Sequence, residues 1–147
     1  RSLRKININF LESTSSFSKI NYRSRWYKFK KIILNNKLIK KTQKIKMMKL
    51  DSIRKILRTK KISLIKIDTE GYELNVLLGA KKTLKKTKFL ILELHRNKMY
   101  KGYDKIVIKK FLKKNNFIFV REFKFPFIPF SDCVYINSKF SKKISIN

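Results

Sequence analysis

The chain carries one cysteine, one histidine, two prolines and three glycines in 147 residues. A single thiol, Cys133, excludes an internal disulfide, and with a single His it excludes the paired spacings of thiol–histidine metal sites. A reducing compartment fits this usage. No apolar run approaches the roughly 18 residues of a membrane span. No secretory signal is visible, but the sequence opens on Arg1 rather than Met, so its absence carries little meaning. Acids are equally scarce: nine Asp and Glu face 39 Lys and Arg, for a formal net charge of +30. Such a charge steers a protein toward nucleic acid, anionic lipid or acidic glycan. Lys far outnumbers Arg, however, and base reading leans on bidentate Arg. With Ile, Asn and Phe also frequent, AT-rich coding drift is favoured over nucleic-acid binding. Apolar residues make up 43% of the chain, enough for a core, which argues against a disordered polyelectrolyte. The length suits one domain or part of one.

What is present is alternation of strand and helix patterns. Residues 6–10 alternate as a strand would, and Ser13-Thr14-Ser15-Ser16 reads as a turn. Residues 19–44 form a variable basic segment. Its cluster Arg23, Arg25, Trp26, Tyr27, Lys28, Phe29 and Lys30 suits either a nucleic-acid stacking platform or an exposed helix or hairpin with aromatics inward and cations outward. The second reading is favoured. Asn35-Asn36 marks a turn. Residues 44–50 read as a strand, and Asp51 as the N-cap of a helix carrying Ile53, Ile56 and Leu57. The clearest unit is strand 62–67, helix 72–86 and strand 89–94, the last continuous and apolar like a strand buried on both faces. The helix begins with Glu70 and Glu73 and ends with Lys81, Lys82, Lys85 and Lys86, as its dipole prefers. The connection suits a crossover between parallel neighbours. Asp104 caps a further helix that stops at Asn115-Asn116. Residues 117–123 and 133–137 form an antiparallel edge pair. The aromatic–proline run 125–130 reads as a core plug rather than a pocket wall, and 138–147 as a frayed basic tail.

Four of the nine acids, Asp68, Glu70, Glu73 and Glu93, crowd around the end of the first parallel strand. Ligands of open α/β sheets sit at such carboxyl ends. Strand alternation puts Lys66 and Asp68 on one face, and Glu93 and His95 on one face. Matching register then brings Asp68 and His95 to a common rim, with Lys66 and Glu93 paired one pleat deeper. That pair satisfies two charges that interrupt apolar strands, since an unpaired buried ion costs several kcal/mol. Asp68, Glu70 and His95 offer a general base. The carboxylates Asp68, Glu70 and Glu93 are also the residues that can hold a divalent metal, although no metal is assigned. Helix-start duty competes for Asp68 and Glu70, and a structural role competes for His95. Gly71 permits a positive φ or a close backbone approach at the junction.

Leu64-Ile65-Lys66-Ile67-Asp68-Thr69-Glu70-Gly71-Tyr72-Glu73-Leu74, followed by Val76-Leu77, Gly79-Ala80 and Leu84, resembles the signature of FkbM-type methyltransferases. Ser15-Ser16-Phe17, Leu50-Asp51 and Ile91-Leu92-Glu93-Leu94-His95 are similar in type and order. Thr69 stands where the family has a β-branched aliphatic residue. The resemblance implies a doubly wound, Rossmann-like α/β sheet, mostly parallel with an antiparallel edge hairpin. It also implies S-adenosylmethionine as cofactor and a divalent metal only as an open question. The expected reaction is O-methylation of a sugar or other hydroxyl acceptor. Asp68 then faces the cofactor or the acceptor hydroxyl, His95 is the second candidate base, and Glu70 binds acceptor or metal. Gly71, Gly79 and Gly102 form no glycine-rich cofactor turn. Residues 1–147 are therefore expected to be a partial methyltransferase domain, the later half of the sheet, inactive alone, with 45–137 the best-matched core. The N-terminal half that grips the cofactor is expected to be absent. A cytoplasmic protein, peripheral at an anionic membrane surface, is the expected location. The alternatives are a basic nucleic-acid-binding module and an inactive remnant.

Overall fold

The computed structural model describes residues 2–9, 15–34, 39–96 and 99–143. In chain order they form β1 (Ser2–Asn9), α1 (Arg25–Ile33), β2 (Ile39–Met47), α2 (Arg54–Arg58), β3 (Ile62–Ile67), α3 (Glu73–Leu78), α4 (Lys81–Leu84), β4 (Thr87–His95), α5 (Lys105–Lys114), β5 (Phe117–Lys124) and β6 (Phe130–Asn137). Short 3₁₀ turns occupy Leu50–Ser52 and Ser138–Lys143.

A four-stranded sheet runs β3-β4-β6-β5. β3 and β4 are parallel, and β6 lies antiparallel between β4 and β5. The register aligns Ile67, Leu92 and Cys133 across three strands. These residues share one cluster with Leu90, Leu94 and Tyr135 from the sheet, Leu77 and Leu84 from α3 and α4, and Ile108 and Leu112 from α5. Fully burying each such aliphatic side chain contributes about 1.5–3 kcal/mol. Asp104 caps α5 by accepting from the Ile106 amide at 2.7 Å, and Asn116, at φ 64°, takes the left-handed conformation that ends it. The other sheet face differs from the expectation of two-sided burial. Phe89 and Ile91 are only half-buried and Leu64 is exposed, because α3, α4 and α5 all contribute to the cluster on the Leu90–Leu92–Leu94 face.

The single helix expected over 72–86 is two. Asp51 explains the break. Its amide donates to the Gly79 carbonyl at 3.0 Å, and its carboxylate accepts from the amides of Lys82 and Thr83 at 2.8 and 2.9 Å and from the Thr83 hydroxyl at 2.7 Å. Asp51 therefore caps α4 across the fold, and not α2, whose N-cap is Ile53. Helix-start amides are equally needy wherever they lie in sequence. Asp51→Ala is expected to lower unfolding free energy by about 1–2 kcal/mol, the usual range for a lost cap, read from the urea midpoint.

Of the strand expected over residues 44–50, residues 44–47 belong to β2. β2 pairs antiparallel with β1 in a separate two-stranded sheet, and the chain leaves it at Met48. α1 buries none of its residues. Its aromatics pack on one another, Trp26 stacking on Phe29 at 5.3 Å, instead of entering a core. The aromatic–proline loop is not a plug either: Phe127 is wholly exposed, and Phe130 alone of its phenylalanines reaches the site, 6.0 Å from the His95 ring. Residues 138–143 coil into a 3₁₀ turn where a frayed tail was expected. The turns expected at Ser13-Thr14 and Asn35-Asn36 fall outside the described residues. No described helix is long and apolar enough to cross a membrane.

Candidate active site

β3 ends at Ile67, and the chain then turns sharply through Asp68, Thr69, Glu70 and Gly71. Glu70 and Gly71 both have positive φ, 50° and 90°. A glutamate in the left-handed region costs on the order of 1–3 kcal/mol unless its surroundings hold it there. Two groups do. Buried Glu73 accepts through Oε1 from the Thr69 amide, the Thr69 hydroxyl and the Gly71 amide, at 3.1, 3.1 and 3.0 Å. Ser16 donates its hydroxyl to the Glu70 carbonyl at 2.5 Å, while its Oγ accepts from the Ser18 amide. Glu73 thus serves the turn's backbone, and Glu70 is free to project its carboxylate inward.

Asp68 follows Ile67, whose partner is Leu92, so the same register sets Asp68 beside Glu93. Glu93 in turn pairs with Asp132 of β6. Asp68 just past β3, Glu93 of β4 and Asp132 of β6 thus form a row across the sheet end. The expected register was two residues off, which preserves faces but moves every pairing by one pleat. Lys66 therefore does not pair with Glu93. Its ammonium lies 3.7 Å from Asp68 and 3.7 Å from Asp132, bridging the ends of the row. Lys66 is half-exposed, so no buried lone charge required Glu93.

His95 lies one pleat beyond the row, 97% buried (3% exposed). Its ring is ringed by Tyr100, Tyr103 and Phe130 at centroid distances of 5.0, 5.5 and 6.0 Å, all edge-on. Its amide donates to the Tyr103 hydroxyl at 2.8 Å. His95 Nε2 stands 3.5 Å from Glu93 Oε1 and 3.8 Å from Glu70 Oε2. The Tyr100 hydroxyl donates to Glu70 Oε2. Glu93 Oε1 and His95 Nε2 are buried with no hydrogen-bond partner. Glu70, Glu93 and His95 each offer one donor atom within 4.8 Å of the others, so among the described residues this trio, without Asp68, is the group that could hold a metal. Asp68 stays on the half-exposed rim, and the expected common rim of Asp68 and His95 becomes a rim and a floor.

Burial, together with the charges of Asp68, Glu70 and Asp132, pushes the Glu93 carboxyl up to about 8. Burial likewise raises Glu70, against the opposing Tyr100 hydrogen bond. Burial and the Lys30 ammonium lower His95 to about 4, leaving a neutral imidazole. These shifts make stability depend on pH with opposite signs. Folded Glu93 keeps a proton that the unfolded chain releases near 4.5, so its contribution is full below that value and lost as pH rises through about 8. Folded His95 resists a proton that the unfolded chain takes near 6.5, so its contribution is full above that value and lost as pH falls through about 4. Between 6.5 and 8 the Glu93 slope is the larger. In chelator-treated buffer the melting temperature is expected to fall across that interval, and Glu93→Gln to flatten the fall. A flat wild-type profile would refute this protonation scheme.

Sequence reasoning missed Asp132, Tyr100, Tyr103 and Lys30. Asp132 carried the signal that singled out Glu93, an acid on an apolar strand. The tyrosines and Lys30 reach the site only through the fold. A cavity of about 750 Å³ lies elsewhere, its lining including Met47, Met48, Ile53, Tyr72 and Val76. A smaller one of about 230 Å³ reaches Gly71, Tyr72 and Tyr103. Neither is lined by Glu93 or His95.

No curated protein and no solved structure matched the chain. The family model described as the methyltransferase FkbM domain matches residues 5–123, which include the turn 68–71, the acidic row's Asp68 and Glu93, and His95. With most of its length covered by that match, the chain belongs to the FkbM methyltransferase family.

Proposed function

We propose that the sheet end formed by β3, β4 and β6 is where a hydroxyl acceptor, a sugar for preference, is methylated from S-adenosylmethionine. The observation that carries this reading is the acidic row Asp68–Glu93–Asp132 at the carboxyl ends of two parallel strands, of which Asp68 and Glu93 lie inside the matched family region. When bound, the cofactor supplies a methyl group activated on a sulfonium. Its fit here is partial. Asp68 and Asp132, neither of them buried, suit its cationic amino-acid end. An adenosine cradle is not found among the described residues: the one glycine in the strand–helix turn, Gly71, has the space beside it filled by the Tyr100 ring. The transfer chemistry is therefore drawn from the rim alone.

Asp68 is the acceptor-facing base, because its half-exposed carboxylate on the rim is open to an arriving hydroxyl. Lys66, between Asp68 and Asp132, orients both carboxylates. Glu70 and His95 form the polar floor beneath, held by Ser16, Glu73 and Tyr100, and keep the rim's geometry fixed so that positioning supplies much of the acceleration. The parallel pair followed by the antiparallel β6–β5 pair supports a doubly wound sheet, and the outer edge of β3 has no partner among the described residues. The +30 charge favours an acidic glycan as acceptor. The test is transfer of labelled methyl from S-adenosylmethionine to a panel of neutral and acidic glycans. Label in an alkali-stable methyl ether supports the reading. Label only in esters or protein side chains overturns the hydroxyl assignment.

A further inference from the structure

We propose that Glu70, Glu93 and His95 bind one divalent transition-metal ion of the zinc class. The three side chains come from two neighbouring strand ends and converge as donors within 4.8 Å of one another. The His95 Nε2 to Glu93 Oε1 and Glu70 Oε2 separations are 3.5 and 3.8 Å. Metal–donor bonds of about 2.1 Å place neighbouring donors of a tetrahedron about 3.4 Å apart, so the two His95 separations already lie within tenths of an ångström of that spacing.

A second observation is independent of the acidity. His95 and Glu93 are each more than nine-tenths buried, and the His95 Nε2 and Glu93 Oε1 atoms that face each other have no hydrogen-bond partner. Buried polar atoms are normally satisfied, and an orphaned pair calls for an absent partner. A cation bound through both lone pairs satisfies them together. Two carboxylates and a divalent ion sum to zero charge, so the bound ion leaves no net charge buried among these three side chains. Imidazole nitrogen with carboxylate oxygen selects zinc-class ions over Mg²⁺ or Ca²⁺, which take oxygen alone. The remaining polar partner, the Tyr100 hydroxyl on Glu70 Oε2, acts as a supporting hydrogen bond that orients a ligating carboxylate. Three protein donors leave a fourth position open, as in catalytic rather than structural zinc sites.

The inference goes beyond the transfer reading and needs no cofactor to test. His95 is the chain's only histidine and Cys133 lies in the core, so the background of competing zinc ligands is small. Zn²⁺ alone is titrated into the chelator-treated full chain while the single His imidazole resonance is followed by NMR. The expected result is a shift that saturates at one ion per chain, with a rise in melting temperature. Glu93→Gln should weaken Zn²⁺ binding by more than about tenfold, and Asp132→Asn should not. A His95 resonance unmoved by excess Zn²⁺ in the folded wild-type chain overturns the site, and this readout does not depend on any variant folding. Equal affinity in wild type and Glu93→Gln overturns it as well. Since no methyl donor is present, failure here leaves the transfer reading standing, and failure of the glycan assay leaves the metal site standing.

Discussion

The Asp68→Asn variant is expected to lose methyl transfer by roughly a hundred- to ten-thousandfold, the usual scale for removing a general base, while folding as the wild type does. The amide keeps the shape of the carboxylate and can still accept a hydrogen bond. It cannot take the acceptor's proton. Little stability is at stake, because the lost ion pair is a half-exposed one at 3.7 Å. Such pairs contribute about 0–1 kcal/mol, and Lys66 retains Asp132. The variant also withdraws one of the charges that keep Glu93 protonated. Turnover and thermal melting measured on the same preparation separate the two effects. Wild-type turnover in Asp68→Asn would remove Asp68 from the chemistry, and a matching collapse in melting temperature would assign it a structural role instead.

Gly71→Ala is expected to destabilise the fold by roughly 3 kcal/mol, combining overpacking with backbone strain. Gly71 has φ 90°, which an L side chain rarely adopts, and a Cβ there would lie 2.5 Å from Tyr100 Cγ and 2.9 Å from Tyr100 Cβ. Nothing flexible yields at these contacts, since they involve the base of the ring rather than its far end. The ring must move, and with it the hydroxyl that holds Glu70. Gly102→Ala is the control. Gly102 also has positive φ, 74°, but a Cβ there meets nothing within 4 Å. It should cost only the backbone term, about 1 kcal/mol. Urea midpoints for the two variants give the difference directly. Equal losses would mean that the approach of Tyr100 to Gly71 carries no energy, and the tight packing of this turn would be disproved.

Much of the site was legible because its parts are local. A strand that stops at Asp68, a turn carrying Gly71 and a helix opening on Glu73 lie within a dozen residues. Asp104 as a cap and Asn116 as a stop were likewise legible from neighbours alone. Asp51 shows the limit. Its capping chemistry was correct and its helix was wrong, because the amides it binds belong to Lys82 and Thr83, 31 and 32 residues on. The aromatics of α1 and the 125–130 loop were expected inside the protein on hydrophobicity, yet Phe29 is half-exposed and Phe127 wholly so. Hydrophobic residues need not be buried when no neighbouring element covers them.

By itself the sequence determined the α/β alternation, the parallel β3–β4 pair, the antiparallel β6–β5 pair and the family motif at the first strand's end. Only the tertiary structure decided which acids meet. Side-chain alternation repeats every two residues, so it specifies a face and leaves the pleat open. A two-residue difference in register took Glu93 away from Lys66, set it in line with Asp68 and Asp132, and left His95 on the floor with Glu70. Tyr100 and Ser16 joined that floor from 30 and 54 residues away, by chain folding that no local pattern encodes.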